Sequence, residues 1–273
     1  MSELNLISLG AGVQSSCLAI GMDRGVFPTA NGKGVDGAIF ADTGAESRAT
    51  YAYLDWLEIV LSFPVYRVKE KEGLTKALEN SVTMGDRVAT VPFFTEGDGL
   101  VMRQCSLEYK IKPIQAKIRE LLGLKKGQRV PKGVHVHQYI GISLDEIQRM
   151  KPSQLKWSTH HWPLIDARMK RYECLNWMDK HDLPEPPRSA CVYCPYHSDH
   201  EWRLLRDKDP EGWNEAVRVD AMVRDKLPGM NESVYIHRSL EPLDQVDLST
   251  EEDRGQSTFF EAWNEECQGI CGV

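Results

Sequence analysis

The sequence predicts an α/β fold in which a parallel sheet is flanked by helices, followed by a helical, cysteine-bearing C-terminal part. Short apolar runs typical of buried strands alternate with helical patterns through the first half of the chain. Such alternation indicates a parallel sheet with helices packed on its faces. At 273 residues the chain is long enough for a large core and a smaller second part. We place the boundary between residues 1–165, the α/β core, and residues 166–273, the helical cysteine-containing region and C-terminal tail.

Composition narrows the class of protein. Hydrophobic residues make up 41% and charged residues 27% of the chain, which is ordinary for a globular protein. No apolar stretch approaches the roughly 20 residues that span a bilayer, and the N-terminus lacks the basic flank and apolar core of a signal peptide. We therefore expect a cytoplasmic protein without a membrane partner. The net charge of −7 argues against a global basic surface for nucleic acid but leaves room for a local one.

The first strand leads into a turn of small residues. An apolar run over Leu4–Ile7 is followed by this turn and then by a helical pattern. The two glycines let the backbone approach a ligand closely, while the helix start offers unpaired N–H groups that attract a phosphate or sulfate. A plain strand-to-helix turn without a ligand is the alternative, and neither a P-loop nor a dinucleotide-binding glycine pattern is present. The candidate ligand-binding residues are Ser8, Gly10, Gly12, Gln14, Ser15 and Ser16.

Two further predicted strands end in polar residues. The run 37–41 is followed by Asp42, Thr43 and Gly44, and the run 134–142 contains Gly141 at its end and leads into Asp145 and Arg149. Because the carboxyl ends of parallel strands meet at one edge of a sheet, these residues are expected to share an edge with the first turn. Asp42 suits a ribose hydroxyl or a metal, or it simply begins a helix. A short strand over 64–68 completes this part, with helices predicted over 47–63 and 74–78.

The middle and C-terminal parts read as loops and helices. Residues 81–99 are predicted as a long loop, and Ser106 as the cap of a basic helix that ends near Leu122. A basic connection, 125–132, follows. The basic helix face is either solvated or turned toward a phosphate, with Lys110 as a candidate.

Asp166 is predicted to cap a helix over 167–180, and three prolines in 183–188 mark a boundary. A capping box, Ser198 and Glu201, opens the next helix through residue 206, and another helix is predicted over 210–226.

Cysteine spacing gives the strongest metal signal. Cys191 and Cys194 stand two residues apart, as thiolates that hold zinc or an iron–sulfur cluster do. A redox dithiol is the weakest interpretation, since the pair does not follow an early strand. Cys105 and Cys174 are the candidates for further ligands, although a helical cysteine such as Cys174 is often simply buried. Cys267 and Cys271 lie on the C-terminal tail, where a thiol is either a mobile nucleophile or an exposed bystander.

Taken together, these motifs resemble the phosphoadenylylsulfate (PAPS) reductase family, within the adenine nucleotide alpha hydrolase superfamily. The matching features follow the family's order along residues 4–206. They are Ser-Leu-Gly-Ala-Gly-Val-Gln-Ser-Ser at the first turn, Ala-Asp-Thr-Gly-Ala-Glu after the second strand, Cys105 with Lys110-Ile-Lys-Pro, Gly-Ile-Ser-Leu-Asp-Glu with Arg149, and Cys-x-x-Cys-Pro. The resemblance implies a Rossmann-like core that binds an adenine nucleotide, namely APS, PAPS or ATP, at the strand ends.

The resemblance also implies roles for individual residues. Gln14 occupies the position of an aspartate in the adenylating members, which favours reductase-type chemistry over cleavage of ATP. Cys105, Cys191 and Cys194 are similar to the cysteines that hold a [4Fe-4S] cluster, with zinc as the alternative. Ser106 stands where reductases have a second adjacent cysteine, so a fourth ligand would come from elsewhere or one iron would stay open. The tail is similar to the Glu-Cys-Gly ending that carries the reductase nucleophile, and either Cys267 or Cys271 fits that role.

Three functions follow from these alternatives. In a sulfonucleotide reductase, a tail thiolate attacks the sulfur of APS or PAPS, Lys110 and Arg149 stabilise the anionic groups, and a thioredoxin-type dithiol completes the reduction. In an ATP-dependent iron–sulfur sulfurtransferase, the acceptor is tRNA or DNA. In a zinc-stabilised nucleotide-binding module, the metal is structural. Self-association as a homodimer stays open.

Overall fold

A computed structural model describes residues 3–70, 72–85, 91–97 and 99–249 of the chain. The elements up to the second half of the sheet are β1 (Glu3–Leu9), α1 (Val13–Asp23), β2 (Gly37–Asp42), α2 (Arg48–Val60), β3 (Val65–Lys69), α3 (Gly73–Met84), β4 (Phe94–Thr95), a π-helical turn (Leu107–Ile111) and α4 (Lys112–Leu121). They are followed by β5 (His135–Ile140), a 3-10 helix (Leu144–Arg149), β6 (Ser158–His161), α5 (Pro163–Asp166), α6 (Arg171–Lys180), α7 (Asp199–Lys208), α8 (Pro210–Val223), β7 (Val234–Tyr235) and a 3-10 turn (Leu243–Gln245).

Five strands form one parallel sheet in the order β3-β2-β1-β5-β6. In the middle of the sheet Leu6 of β1 stands opposite Gly37 of β2 and Gln138 of β5. The chain leaves β1 toward β2 and β3 on one side and toward β5 and β6 on the other, which is the strand reversal that opens a crevice at the carboxyl ends. The predicted parallel α/β fold is confirmed.

Helices cover both faces of the sheet because each face is apolar. Alternate residues of β1, such as Ile7 and Leu9, pack with α1, α2 and α6 in one buried core. Leu6 and its neighbours on the other face pack against α4 through Ile118. At about 25 cal/mol per Å² of apolar surface, burying two such layers is the main force that holds the helices on the sheet. The two layers fix the strand ends relative to the start of α1.

A further core, separate from the two layers on the sheet, joins distant parts of the chain. Leu74 and Leu78 of α3 pack with Val219 and Val223 of α8 and with the fully buried Trp202 of α7. Residues around 91–109 belong to the same core. An isolated antiparallel β-bridge pairs Cys191 with Glu46, which lies in the segment after β2. The boundary at residue 165 stays a prediction, although α6 packs with α1 in the first core.

Several predicted elements have different bounds in the structure. The helix predicted over 167–180 is interrupted, because Arg168 adopts a φ of 55° that no α-helix continues through. Helix α6 therefore begins at Arg171. Ser106 does not cap the following turn with its side chain, and instead accepts a hydrogen bond from Arg103. The capping box of Ser198 and Glu201 is present as predicted. Among the described residues, no helix is long and apolar enough to cross a membrane.

Histidines on the neighbouring strands β5 and β6 link stability to pH. His137 Nδ1 lies 2.9 Å from His161 Nε2, and the His135 ring stands 4.8 Å from that of His137. Burial, reinforced by the neighbouring imidazole charge, lowers the pKa of both His137 and His161, while Glu3 acts in the opposite sense on His137. The unfolded chain, with histidine pKa values near about 6.5, therefore binds more protons than the folded chain in mild acid.

We expect the thermal unfolding temperature to fall as the pH is lowered from about 7.5 to about 5.5, because protonation then favours the unfolded chain. Differential scanning fluorimetry across this range measures the effect. The double variant His137→Gln, His161→Gln should show a shallower dependence than the wild type. Equal pH slopes for the two proteins would contradict a contribution from these histidines.

Candidate functional site

A cavity lies at the carboxyl ends of β1, β2 and β5. Its volume is about 520 Å³, within the range of small-molecule binding sites. Ser8 and Leu9 line it from β1, Phe40 and Ala41 from β2, and Ile140 from β5. The cavity therefore occupies the position where parallel α/β sheets bind ligands. Of the predicted site residues, it brings together Ser8, Gly10, Gly12, Gln14, Ser15, Lys110, Gly141 and Arg149.

The turn between β1 and α1 is held in shape by its own side chains. Ser15 Oγ accepts a hydrogen bond from the Gly10 N–H at 3.2 Å and lies 3.2 Å from the Gly12 carbonyl oxygen, to which it donates. Ala11 adopts a φ of 58° in the left-handed region that favours glycine. Gly12 begins α1 without a side-chain cap. The first N–H groups of the helix are thus available at the cavity for an anion.

Gly141 lets the end of β5 touch the start of α1. A Cβ atom at this position would stand 2.7 Å from the Cα and N atoms of Ser15 and 2.8 Å from the carbonyl carbon of Gln14. All three are backbone atoms, which cannot rotate away as a side chain can. Only glycine fits here without moving the phosphate-binding turn away from the sheet.

A buried glutamate anchors the far wall of the cavity. Glu146 accepts a hydrogen bond from Gln14 Nε2 at 3.2 Å and pairs with Arg149. The amide of Gln14 also lies 3.4 Å from Ser143 Oγ. Gln14 therefore connects the first helix to the segment after β5, and Arg149 is held at the cavity by a charge-assisted hydrogen bond.

A proline-rich segment, residues 184–189, covers the turn from the other side. Its residues Pro186, Pro187, Arg188 and Ser189 line the cavity, and a Cβ at Gly12 would stand 3.2 Å from Ser189 Cβ. Arg188 pairs with Glu201 at the start of α7 and donates to the Tyr196 carbonyl. We call residues 184–189 the strap. Cys191 follows Ser189 by two residues, so the strap connects the cavity to the cysteine pair.

Sequence reasoning missed several residues of this cavity, namely Arg171, Arg188, Ser189, His200 and Glu201. The prolines alone predict only a boundary. The available signal is the Pro-Pro-Arg-Ser run that ends two residues before Cys191, because prolines restrict the chain and so position the polar residues that follow.

Three of the predicted metal ligands line a second, smaller cavity of about 30 Å³. These are Cys105, Cys191 and Cys194, and Thr43 and Tyr193 complete much of its wall. Lys110 lines both cavities. The thiol cavity, as we call this second site, is therefore adjacent to the ligand cavity, and Lys110 stands between them.

Glu46 is a buried carboxylate beside the thiol cavity that sequence reasoning did not single out. Its Oε1 atom lies 3.6 Å from Lys110 Nζ and accepts a hydrogen bond from Thr43 Oγ1 at 3.2 Å. Thr43 Oγ1 in turn lies 3.2 Å from Cys191 Sγ. Burial, and next the negative charge of Glu46, raise the pKa of Cys191, while Lys110 opposes them. Taken together, these effects raise the pKa of Cys191 and favour its protonated thiol.

The chemistry of the donor set fits a thiolate-held metal centre. Three thiols face one cavity, and Cys191 and Cys194 come from a two-residue spacing that zinc and iron–sulfur sites share. Within the described ranges, no three His, Cys, Asp or Glu side chains stand in positions to hold a metal ion as they are. A centre at this place would require the thiols to turn toward it and a fourth ligand from elsewhere.

Cys174, the other predicted ligand, lies apart from these three. It is fully buried in the core between α1 and α6. A hydrogen bond with Cys17, and then burial, raise the pKa of its thiol. The structure therefore does not bring Cys174 to the thiol cavity, because helix α6 directs it into the apolar layer beneath the sheet.

Other predicted residues serve the local structure. Asp42 accepts hydrogen bonds from the Gly44 N–H and the Tyr51 hydroxyl, both at 2.7 Å. Gly44 adopts a φ of 76° that suits glycine. Asp145 accepts from the Arg171 N–H at the start of α6. Ser16 is fully buried within α1. The tail cysteines, Cys267 and Cys271, lie outside the described residues.

Solved structures similar to this chain include two enzymes. One is a PAPS reductase from Candida auris in a phosphate complex, with 12% identity and a TM-score of 0.43, which covers 68% of this chain and 75% of its own. The other is the U34-tRNA thiolase NcsA from Methanococcus maripaludis with its [4Fe-4S] cluster, with 13% identity and a TM-score of 0.38, covering 81% and 71%. No protein-family model and no curated protein matches the sequence.

Proposed function

We propose that this protein is a PAPS reductase-like enzyme that binds an adenine nucleotide in the large cavity and carries out sulfur chemistry there. One observation carries the proposal: a cavity of about 520 Å³ at the strand reversal adjoins a cavity lined by three thiols, with Lys110 shared between them. If the β1–α1 turn bound no ligand, there would be no functional reason for three thiols to lie beside the cavity. The motif order of the family supports the same assignment.

The β1–α1 turn would bind the phosphate groups of the nucleotide. The N–H groups at the start of α1 and the hydroxyl of Ser8 suit phosphate oxygens. Arg149 and Arg188 reach the cavity from opposite walls, each held by a glutamate, Glu146 and Glu201. Cations fixed in this way stabilise negative charge without having to reorganise when a ligand arrives.

Sulfonucleotide reduction is the reaction we favour. A thiolate of Cys271 or Cys267 attacks the sulfur of APS or PAPS, the bond between that sulfur and the phosphate oxygen breaks, and AMP or its 3′-phosphate leaves with the electron pair. The enzyme-bound S-sulfonate is then reduced by a thioredoxin-type dithiol, which is oxidised to a disulfide and releases sulfite. Lys110 and Arg149 stabilise the charge on the leaving phosphate.

Cys105, Cys191 and Cys194 would hold an iron–sulfur cluster, or zinc as the alternative. When bound, such a group would hold the three cysteines as thiolates and, if it is a cluster, would supply a site for sulfur or electrons. The chain's own contribution there is Glu46 and Thr43, which position Cys191, and Lys110, which balances the charge of Glu46.

A second candidate is an ATP-dependent sulfurtransferase that modifies tRNA or DNA. The observation that favours it is the position of the three thiols beside the nucleotide cavity rather than on the far side of the protein. Such an enzyme adenylates its acceptor and releases pyrophosphate, whereas a reductase releases sulfite. Gln14, in place of an aspartate, counts against cleavage of ATP.

The variant Cys271→Ser is expected to lose sulfite release from APS and PAPS while it still binds nucleotide, because the serine hydroxyl is a far weaker nucleophile than a thiolate. Cys267→Ser is the matched control that decides which tail thiol reacts. A sulfite assay with reduced thioredoxin, and a pyrophosphate assay with ATP, separate the two candidate reactions. Full sulfite release by the double serine variant would exclude the tail mechanism, and pyrophosphate release alone would select the sulfurtransferase.

A further inference from the structure

Positive charge in this acidic protein is concentrated in one segment. Between residues 110 and 132 there are eight Lys or Arg residues and one acidic residue, Glu120, a net charge of +7 in a chain whose total is −7. The remainder of the chain is therefore strongly acidic. A segregation of this size creates a local field that a net charge alone does not reveal.

The basic residues occupy the outer side of α4 and the loop that follows it. Ile118 and Pro113 face the sheet, and Lys112 and Arg119, seven residues apart, share the opposite side of the helix. Beyond α4 the exposed basic residues are Lys125, Lys126, Arg129 and Lys132. We call these six side chains the basic face.

The loop of the basic face has a defined shape. Arg119 donates to the Gln128 carbonyl, and the Lys125 N–H donates to Gln128 Oε1 at 3.1 Å. Gly123, Gly127 and Gly133 adopt positive φ values that form its tight turns. Within the described ranges, Lys125, Lys126, Arg129 and Lys132 form no ion pair with a carboxylate. Their charges are thus held on an ordered loop and face solvent.

The chemistry of this face fits a phosphodiester backbone. Of the exposed large apolar side chains in the described structure, none lies between residues 110 and 132. A membrane-binding surface needs apolar residues to insert, and protein interfaces are depleted in lysine. Rows of Lys and Arg without apolar neighbours are instead typical of contacts to nucleic-acid phosphates.

The basic face also leads to the candidate site. Lys110 and Ile114 line the large cavity at the start of α4, and the helix carries the row of charges away from it over ten residues, about 15 Å. A strand bound along α4 would therefore have one end at the mouth of the cavity.

We propose that the basic face binds a nucleic-acid strand, which α4 directs toward the nucleotide cavity. The proposal rests on the nucleotide site proposed above and deepens the second candidate function, because it assigns a surface to the nucleic-acid substrate of a sulfurtransferase. A reductase that acts on a free sulfonucleotide does not need this surface, so nucleic-acid binding here would favour the second candidate over the first.

The test is fluorescence anisotropy of the full chain with labelled, mixed-sequence oligonucleotides of roughly 20 nucleotides, as single-stranded RNA, single-stranded DNA and an RNA stem-loop. The variant Lys125→Gln, Lys126→Gln, Arg129→Gln, Lys132→Gln should bind at least about tenfold more weakly than the wild type. The slope of log affinity against log salt should fall by about 3, since each lost phosphate contact accounts for about 0.7 on a single strand. The three probes show whether RNA or DNA is preferred.

The matched control removes four exposed charges elsewhere: Arg24→Gln, Lys180→Gln, Lys208→Gln, Lys226→Gln. It should bind like the wild type. Equal weakening in both variants would overturn the proposal. Absence of salt-dependent binding by the wild type to any probe would also overturn it, and would leave an acidic protein as the partner of this face. AMP binding, measured on the same samples, reports separately on the nucleotide site and on folding, because none of the substituted residues lines the cavity.

Discussion

Replacing Gly141 with alanine is expected to weaken the binding of adenine nucleotides by at least about tenfold and to destabilise the protein by about 1–3 kcal/mol. The added methyl group would stand 2.7 Å from backbone atoms of Ser15. To relieve this contact, either the end of β5 or the start of α1 must move. Both movements separate the phosphate-binding turn from the wall that carries Glu146 and so weaken the hydrogen bond between Gln14 and Glu146. Calorimetric titration with ATP and AMP measures the first effect, and urea unfolding the second.

Gly34→Ala is the control for this prediction. A Cβ at Gly34 meets no atom within 4 Å, so the same change of residue should leave both nucleotide affinity and stability close to the wild type. If Gly141→Ala binds nucleotide with unchanged affinity, the contact between β5 and α1 does not shape the binding site.

A metal centre is expected to copurify with the wild-type protein under oxygen-free conditions, and the variant Cys191→Ser is expected to lack it. Cys191 is the thiol of this cavity whose Sγ atom lies 3.2 Å from Thr43 Oγ1, which donates a hydrogen bond to Glu46. A serine hydroxyl does not replace a thiolate as a ligand for zinc or for an iron–sulfur cluster. Iron, zinc and sulfide analysis, together with an absorbance spectrum, measures the loss and identifies the metal in the wild type.

Cys174→Ala provides the comparison within the same chain. Because Cys174 lies in the core between α1 and α6, its loss should cost about 1–2 kcal/mol of stability through a small cavity and leave the metal content unchanged. Full metal content in Cys191→Ser, or its loss in Cys174→Ala, would show that the centre lies elsewhere than in the thiol cavity.

Local sequence signals were sufficient for the features that depend on local physics. The turn at Gly10 and Gly12 follows from two glycines between an apolar strand and a helix. The capping box at Ser198 follows from a hydroxyl and a carboxylate three residues apart. The alternation of strands and helices predicted the parallel sheet, and the carboxyl-end rule placed the cavity on the correct edge.

Contacts between distant segments could not be predicted in the same way. The strap reaches Gly12 from more than 170 residues further along the chain, and Glu46 meets Cys191 across 145 residues. Neither contact leaves a periodic pattern in the sequence. Proline spacing indicates a restricted segment, but only the packed structure shows what that segment covers.

Some local features also remained ambiguous. A helix pattern over 167–180 gives no sign that Arg168 adopts a positive φ, because the helix break is set by how α5 and α6 pack against α1. A cysteine on an amphipathic helix, such as Cys174, has the same sequence pattern whether it faces the core or a metal. Burial separates the two cases, and burial is a property of the tertiary structure.

A calorimetric titration of the oxygen-free wild-type protein with ATP, AMP, APS and PAPS in turn, repeated in high phosphate, tests the nucleotide site. We expect at least one adenine nucleotide to bind with a stoichiometry of about one per chain, and inorganic phosphate to compete with it because both occupy the β1–α1 turn. Absence of binding by all four nucleotides would contradict the assignment of the cavity. Binding that phosphate does not weaken would contradict the role of the turn.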